Sequence, residues 1–386
     1  MDITIHPGKL MGSVTAPPSK SMAHRMLICA AFSHHPCTLL CTESNADIDA
    51  TAECLRALGA DILHTERGFH VTPVKDLPAQ AQVPCGESGS TLRFLLPIAG
   101  ALGVDATFHM QGRLPHRPLS PLWEEMERMG CRLTRPTANT IRCTGKLRPG
   151  EYIIDGSVSS QFITGLKFAL PMISGHTALK ITGDIQSKPY LDMTDYAISQ
   201  FFLQPQPKTM DIEGDWSSTA FWLAANALAN QLHVEGLRDD SLQGDRRVVT
   251  LLSQLQANTV ISAKDIPDLI PILSIVAAAG KGAAFTDIER LRLKESDRVA
   301  AILAMLQSLG GHAEATENTL TVHGTGLRGG IVDSFMDHRI AMAAAIAATV
   351  CRESVTISAA ECVKKSYPSF WEEYARLGGK YEKHLW

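Results

Sequence analysis

No two of the nine cysteines, at positions 29, 37, 41, 54, 85, 131, 143, 351 and 362, are spaced C-x-x-C. Neither a zinc site nor a disulfide framework is therefore signalled, and the odd count suits a reducing compartment. No apolar run approaches the ~20 residues of a membrane-spanning helix; the most apolar stretches, "AMAAAIAATV" and "PILSIVAAAG", are far shorter. The opening "MDITIHPGKLMG" has no cationic region followed by an apolar one, so a cytoplasmic protein is expected. A large charge of either sign is also missing. The net charge of −4 and pI near 6.4 speak against a nucleic-acid or membrane-surface role, although cationic clusters can exist inside an acidic whole.

What is present is an ordinary globular composition, 45% apolar and 20% charged over 386 residues, long enough for two domains. Two units alternate along it. One is an amphipathic helix ended by Gly, then a strand, a polar turn and a second strand, as in "DATAECLRALGADILHTERGFHVTPV", "PLWEEMERMGCRLTRPTANTIRCTG" and "RVAAILAMLQSLGGHAEATENTLTVHGTG". Weaker copies begin at "DYAISQFF", "RRVVTLLSQ" and "PSFWEEYARLGG". The other unit is a polar turn followed by an Ala-rich apolar helix, and it occurs six times: "PPSKSMAHRMLICAA", "CGESGSTLRFLLPIAG", "GSVSSQFITGLKFAL", "GDWSSTAFWLAANAL", "KDIPDLIPILSIVAAAG" and "FMDHRIAMAAAIAA". Helices this apolar must be buried on most sides, while the "WEEMERMG" type has a charged face and belongs outside. The pattern predicts an α/β (α+β) protein of two similar domains, each with three β/α repeat units around buried helices. The boundaries are expected at 14–213 for the first domain and at 1–13 with 214–386 for the second, with a ligand cleft between them.

Helix starts offer unpaired N–H groups and the positive end of the macrodipole, which favour anions. In "PPSKSMAHR", Ser19 suits an N-cap and Lys20, Ser21 and Arg25 lie about one turn apart. "GESGSTLR" supplies Gly89 and hydroxyls ahead of Arg93, "VSSQ" supplies Ser159, Ser160 and Gln161, "HRP" supplies Arg117, and "QSKPY" supplies Ser187 and Lys188. In the second half, "RLRLKESDR" gathers Arg290, Arg292, Lys294 and Arg298 around Glu295 and Asp297, "FMDHRIAM" adds His338 and Arg339, and "VKKSYP" adds Lys364 and Lys365. Taken one by one, each start is equally readable as a solvated turn or a cap. Together, the cations exceed what one monoanion would occupy, so ligands carrying at least two anionic groups are expected. Carboxylates are scarce here, which makes Asp268 and Glu295 the candidates for proton transfer. Asp268 is alternatively a helix cap, and Glu295 alternatively an ion-pair partner.

In chain order, "PPSKSMAHR", "GSTLR", "RP" at Arg117, "SSQ", "SKPY", "GDWSS", "KESDR", "DHRIAM" and "KKSYP" resemble the 5-enolpyruvylshikimate-3-phosphate synthase family end to end. The resemblance implies an inverted α/β barrel of the enolpyruvyl transferase type. It implies transfer of the enolpyruvyl group of phosphoenolpyruvate to the 5-hydroxyl of shikimate 3-phosphate, with neither metal nor organic cofactor; a monomer is the default expectation. It places shikimate 3-phosphate on Lys20, Ser21, Arg25, Ser159, Ser160, Gln161, Ser187, Asp268 and Lys294. Phosphoenolpyruvate is placed on Lys20, Gly89, Arg117, Gln161, Arg298, Arg339 and Lys365, and Asp268, Glu295 and Lys20 are the implied catalytic groups. Three positions depart from the family pattern: Glu87 and Arg290 stand where Asn is usual, and the segment from Tyr190 to Gly214 is short, lacking a hairpin. The alternatives are the sister transferase acting on UDP-N-acetylglucosamine and a non-catalytic relative that binds anionic metabolites. The sister family presents Lys-Asn near the start and often a mobile-loop cysteine, where this chain has "SKS" and no cysteine beside Arg117.

Overall fold

A computed structural model describes residues 1–205, 208–255 and 259–384. The chain divides into two compact units, Met1–Pro17 with Glu213–Trp386 and Pro18–Ile212. Each has its own apolar core.

All six apolar segments are helices: α1 (Lys20–Ala31), α3 (Gly89–Leu102), α5 (Ser160–Ala169), α7 (Trp216–Ala227), α9 (Ile270–Ala279) and α11 (His338–Ala347). They alternate with α2 (Ala46–Ala57), α4 (Leu122–Arg128), α6 (Lys188–Ile198), α8 (Val248–Gln254), α10 (Arg298–Ser308) and α12 (Phe370–Arg376). The first set is buried almost all round, and every residue of α11 is buried, because an Ala-rich helix with no charged face has no side to give to water. In α2 only a stripe at helical spacing, with Ile48, Thr51, Ala52 and Leu55, is buried. Helices α7, α9 and α11 pack on one another in their unit, and α3 packs on α5 in the other. The α3–α5 approach is close because Gly165 carries no side chain: a Cβ there would lie 2.2 Å from the Arg93 carbonyl oxygen.

Among the described residues each unit holds three sheets, two of four strands and one of two. The four-stranded sheets share one plan, a parallel pair extended by two antiparallel strands. In one, Gln80–Gly86 runs parallel to Asp105–Met110, with Val83 opposite Phe108, and the latter strand pairs antiparallel with Thr140–Gly145. A register shift between Pro84 and Gly86 ends the first strand, and Gly86 turns at φ +55° into the start of α3. In the Pro18–Ile212 unit the two-stranded sheet is Gly150–Asp155 with Thr177–Thr182. The short segment that follows α6 forms a π-helical turn, Ser199–Leu203, and then one strand, Thr209–Asp211, which joins the sheet of Cys37–Leu40. Residues 206 and 207 of that segment lie outside the described residues.

Candidate active site

In the unit of residues 213–386, side chains from three β/α repeats meet at Arg298, the first residue of α10. This guanidinium is almost wholly buried and is held by three carboxylates. Its Nη1 donates to Asp268 Oδ1 at 2.6 Å, Nη2 to Glu295 Oε2 at 2.8 Å and Nε to Asp337 Oδ2 at 2.8 Å. Asp337 is the N-cap of α11, accepting from Arg339 N at 2.9 Å, and also accepts from Ser296 Oγ at 3.0 Å. Asp268 does not cap its helix, for the N-cap of α9 is Leu269 with no side-chain bond. Instead it faces cations, with Lys294 Nζ 3.7 Å from Oδ1 and Arg339 Nη2 3.4 Å from Oδ2. Arg339 is buried, and its Nε and Nη1 have no hydrogen-bond partner among the described residues. Two buried guanidinium nitrogens left this way are costly unless an anion arrives.

Burial alone would raise the Asp268 carboxyl, but Lys294, Arg339 and Arg298 outweigh it and hold it well below the usual carboxylate range. Asp268 is thus ionised at neutral pH. Behind it Asp245, which accepts from Ser217 Oγ, is pushed up to about 7 by burial and by the Asp268 charge. Burial also lowers the Lys294 ammonium to about 8, against the pull of Asp268. Lys294 carries its charge below that pH and loses it above. If it binds an anionic substrate, kcat/KM should fall as pH rises through about 8. Lys294→Arg, which stays charged, should move that limb upward in a pH–rate profile; an unmoved limb would assign it to another group.

In the unit of residues 18–212, the starts of α1, α3 and α5 carry the predicted residues. Ser19 caps α1, and Lys20 Nζ lies 3.0 Å from Asp47 Oδ2 in the first turn of α2. Gly89 opens α3 behind the Ser88 cap. A Cβ at Gly89 would lie 2.6 Å from Arg93 Nη1 and 2.7 Å from Arg117 Nη1, so two guanidiniums converge on one helix start. Three positive groups at one point repel one another unless an anion joins them. Gln161 links α5 to this point, accepting from Arg93 Nη1 at 3.0 Å and donating to Ser90 Oγ at 2.9 Å.

The other predicted residues take several positions. Ser159 caps α5 ahead of the buried Ser160. Ser187 is buried before α6 with φ 54°, a left-handed conformation uncommon for serine and enriched at functional sites. Ser21 offers its carbonyl to Arg25 Nη1 at 2.7 Å, while Arg25 Nε and Nη2 donate to Thr194 Oγ1 and the Tyr190 carbonyl. Every nitrogen of the Arg25 guanidinium therefore has a protein partner, and burial lowers the group to about 10. Arg298 is committed in the same way to its three carboxylates. Lys365 ends the 3₁₀ turn Ala360–Lys365, which packs on α11, and its charge opposes burial and Asp337, both of which push the Cys362 thiol up. Of the two departures in residue type, Glu87 lies over Gly112, where a Cβ would meet its Oε1, and Arg290 bears on Lys294 electrostatically. Sequence reasoning passed over Asp47 and Asp245. Among the described residues no group of three or more His, Cys, Asp or Glu could hold a metal ion.

Comparison with known proteins puts this arrangement in a class. Two solved structures share the fold over nearly the whole chain: EPSP synthase from Acinetobacter baumannii, at a TM-score of 0.78 and 22% identity over 99% of this chain and 100% of that one, and the enolpyruvyl transferase NikO from Streptomyces tendae, at 0.74 and 17% over 99% and 98%. The architecture is thus the inverted α/β fold of the enolpyruvyl transferases. Residues 5–374 match the family described as EPSP synthase (3-phosphoshikimate 1-carboxyvinyltransferase). The 3-phosphoshikimate 1-carboxyvinyltransferase of Clostridium kluyveri is 38% identical over 421 aligned positions, 99% of this chain and 98% of the relative. That of Clostridium acetobutylicum is 36% identical over 423 positions, 100% of this chain and 98% of the relative. The chain belongs to the EPSP synthase family, and it is an enzyme. Because 421 aligned positions exceed its 386 residues, the relative carries segments that this chain lacks.

Proposed function

We propose that the two clusters act together in one reaction, the transfer of the enolpyruvyl group of phosphoenolpyruvate to the 5-hydroxyl of shikimate 3-phosphate with release of phosphate. This is the shikimate-pathway step toward chorismate and the aromatic amino acids. Both substrates carry a phosphate and a carboxylate, which matches the surplus of cations. The observation that carries the mechanism is the pair Asp268 and Glu295 on one buried guanidinium. Asp268, held ionised, accepts the proton of the attacking hydroxyl, whose oxygen bonds to C2 of phosphoenolpyruvate. Glu295, aided by Lys20, delivers a proton to the methylene carbon, giving a tetrahedral ketal. Loss of a proton from the new methyl group then re-forms the double bond as the C2–O bond breaks and phosphate leaves. Lys20, Arg117, Arg339, Lys294 and Lys365 stabilise the phosphates and carboxylates, an electrostatic contribution that commonly dominates in such sites. Arg298 holds the two carboxylates in register and bears on the phosphoenolpyruvate site through them. Ser159, Ser160, Gln161, Ser187, Ser21 and Arg25 build the shikimate 3-phosphate side.

The enzyme works in this reading as a cytoplasmic monomer, and no helix among the described residues is long and apolar enough to cross a membrane. The test is phosphate release from phosphoenolpyruvate. It should require shikimate 3-phosphate and should not occur with UDP-N-acetylglucosamine. Release with the nucleotide sugar, or with neither acceptor, would overturn the assignment.

A further inference from the structure

Three helices of the Pro18–Ile212 unit bring residues of the proposed site to their first turns, and each carries a buried polar side chain just behind. His24 lies four residues after Lys20 on α1, Thr51 four after Asp47 on α2, and Thr91 two after Gly89 on α3. These side chains are joined end to end. His24 Nδ1 is 2.7 Å from Thr51 Oγ1, Thr51 Oγ1 is 2.6 Å from Thr91 Oγ1, and Thr91 Oγ1 donates at 2.7 Å to Ser88 Oγ, the N-cap of α3. All four residues are at most 1% exposed.

The direction of the chain follows from its last bond. With its proton given to Ser88, the Thr91 oxygen accepts from Thr51, and Thr51 in turn accepts from His24 Nδ1–H. The imidazole then carries a proton on Nδ1, and burial decides that it is the neutral tautomer. Burial fits this, lowering His24 to about 3 despite the nearby Asp47 carboxylate, with Lys20 and Arg25 acting in the same direction as burial.

We propose that Thr51 is a positioning residue for the reaction, its one hydroxyl tying α1, α2 and α3 together and so setting Lys20 and Gly89 at their working separation. The proposal rests on the assignment of Lys20 and Gly89 to the phosphoenolpyruvate site. On α2, Thr51 stands in the buried stripe with Ile48, Ala52 and Leu55, where an apolar side chain of the same size would be buried as well. A buried hydrogen bond stabilises by only about 0.5–1.5 kcal/mol net, because both partners leave water. Its stronger effect is on geometry, since a shift of one helix would strand a donor without water to replace its partner. No backbone hydrogen bond among the described residues joins any of these three helices to another, so the hydroxyl chain is a direct polar link among them.

The test compares Thr51→Val with Thr51→Ser, each confirmed as folded by circular dichroism, with Lys20→Ala as control. T51V keeps the shape and removes the hydroxyl; kcat/KM for phosphoenolpyruvate should fall at least tenfold. T51S restores the hydroxyl and should return it to within about twofold of the parent, a rescue that a packing role would not produce, since serine fills less of the space. A folded T51V with unchanged constants, or a T51S as impaired as T51V, would overturn the proposal. Should T51V not fold, Thr91→Val cuts the chain at its next bond and carries the same expectation. K20A should lose at least a hundredfold in kcat. An unimpaired K20A would sink the site assignment itself, whereas an impaired K20A beside an intact T51V sinks only the positioning role.

Discussion

Asp268→Ala should lower kcat by on the order of 10²–10⁴-fold, the range general-base catalysis supplies, while KM for either substrate changes by less than about tenfold. The expectation separates two roles that the geometry combines. Asp268 touches three cations, Arg298 at 2.6 Å, Arg339 at 3.4 Å and Lys294 at 3.7 Å. If it served only to balance them, its removal would leave the site more positive, and anionic substrates would bind more tightly at unchanged turnover. If it takes the hydroxyl proton, the loss falls on the chemical step and kcat drops. Steady-state kinetics at pH 7 with both substrates varied distinguish the cases, and unchanged turnover would remove Asp268 from the mechanism. The low pKa of the carboxyl adds a pH corollary: in the free enzyme Asp268 stays ionised well below neutrality, so its protonation should set no acid limb of kcat/KM close to neutral pH.

The same residues show how far such a site is legible in sequence. The six buried helices were readable from composition alone, because a run such as "AMAAAIAATV" has no side to expose and a Ser or Asp before it marks the start. The scarcity of carboxylates among the cations singled out Asp268 and Glu295. Their common partner was not readable: Asp268, Glu295 and Asp337 come from different repeats, and only the topology brings them to one arginine. Nor is there a local signal that the first strand, Asp2–His6, lies between Val355–Ser358 and Lys380–His384 from the far end of the chain. Asp47 escaped notice because an acid in the first turn of a helix already has a sufficient reason in the macrodipole. Arg25 illustrates the opposite limit. Spacing put it about one turn from Lys20 and Ser21 but could not say that Thr194, Tyr190 and the carbonyl of Ser21 would take up its nitrogens. The short segment after α6, expected to lack a hairpin, forms a π-helical turn and one strand, Thr209–Asp211, which joins the sheet of Cys37–Leu40.

Gly89→Ala should raise KM for phosphoenolpyruvate by about ten- to a hundredfold and leave KM for shikimate 3-phosphate within about threefold. The added methyl would stand 2.6 Å from Arg93 Nη1 and 2.7 Å from Arg117 Nη1, well inside van der Waals contact. Both obstacles are ends of flexible side chains rather than backbone, so the guanidiniums can move away and the fold should survive. Gly89 has no left-handed backbone that alanine would strain, so the cost of the substitution is confined to moving these side chains. Stability and binding should therefore separate, with the fold retained while affinity falls. The magnitude follows from what the displaced groups do. Each charge-assisted hydrogen bond to an anion contributes about 1.5–3 kcal/mol, and every ~1.4 kcal/mol is a factor of ten in affinity, so losing one such bond spans the stated range. Arg117 can retreat along its extended backbone, but Arg93 is tied to Gln161 Oε1 at 3.0 Å and to the Pro118 carbonyl at 3.0 Å. Its displacement would also loosen the link that Gln161 makes between α5 and α3. A melting curve and steady-state kinetics on one preparation test both halves. An unchanged KM for phosphoenolpyruvate would mean that the two guanidiniums converging on the start of α3 do not bind it.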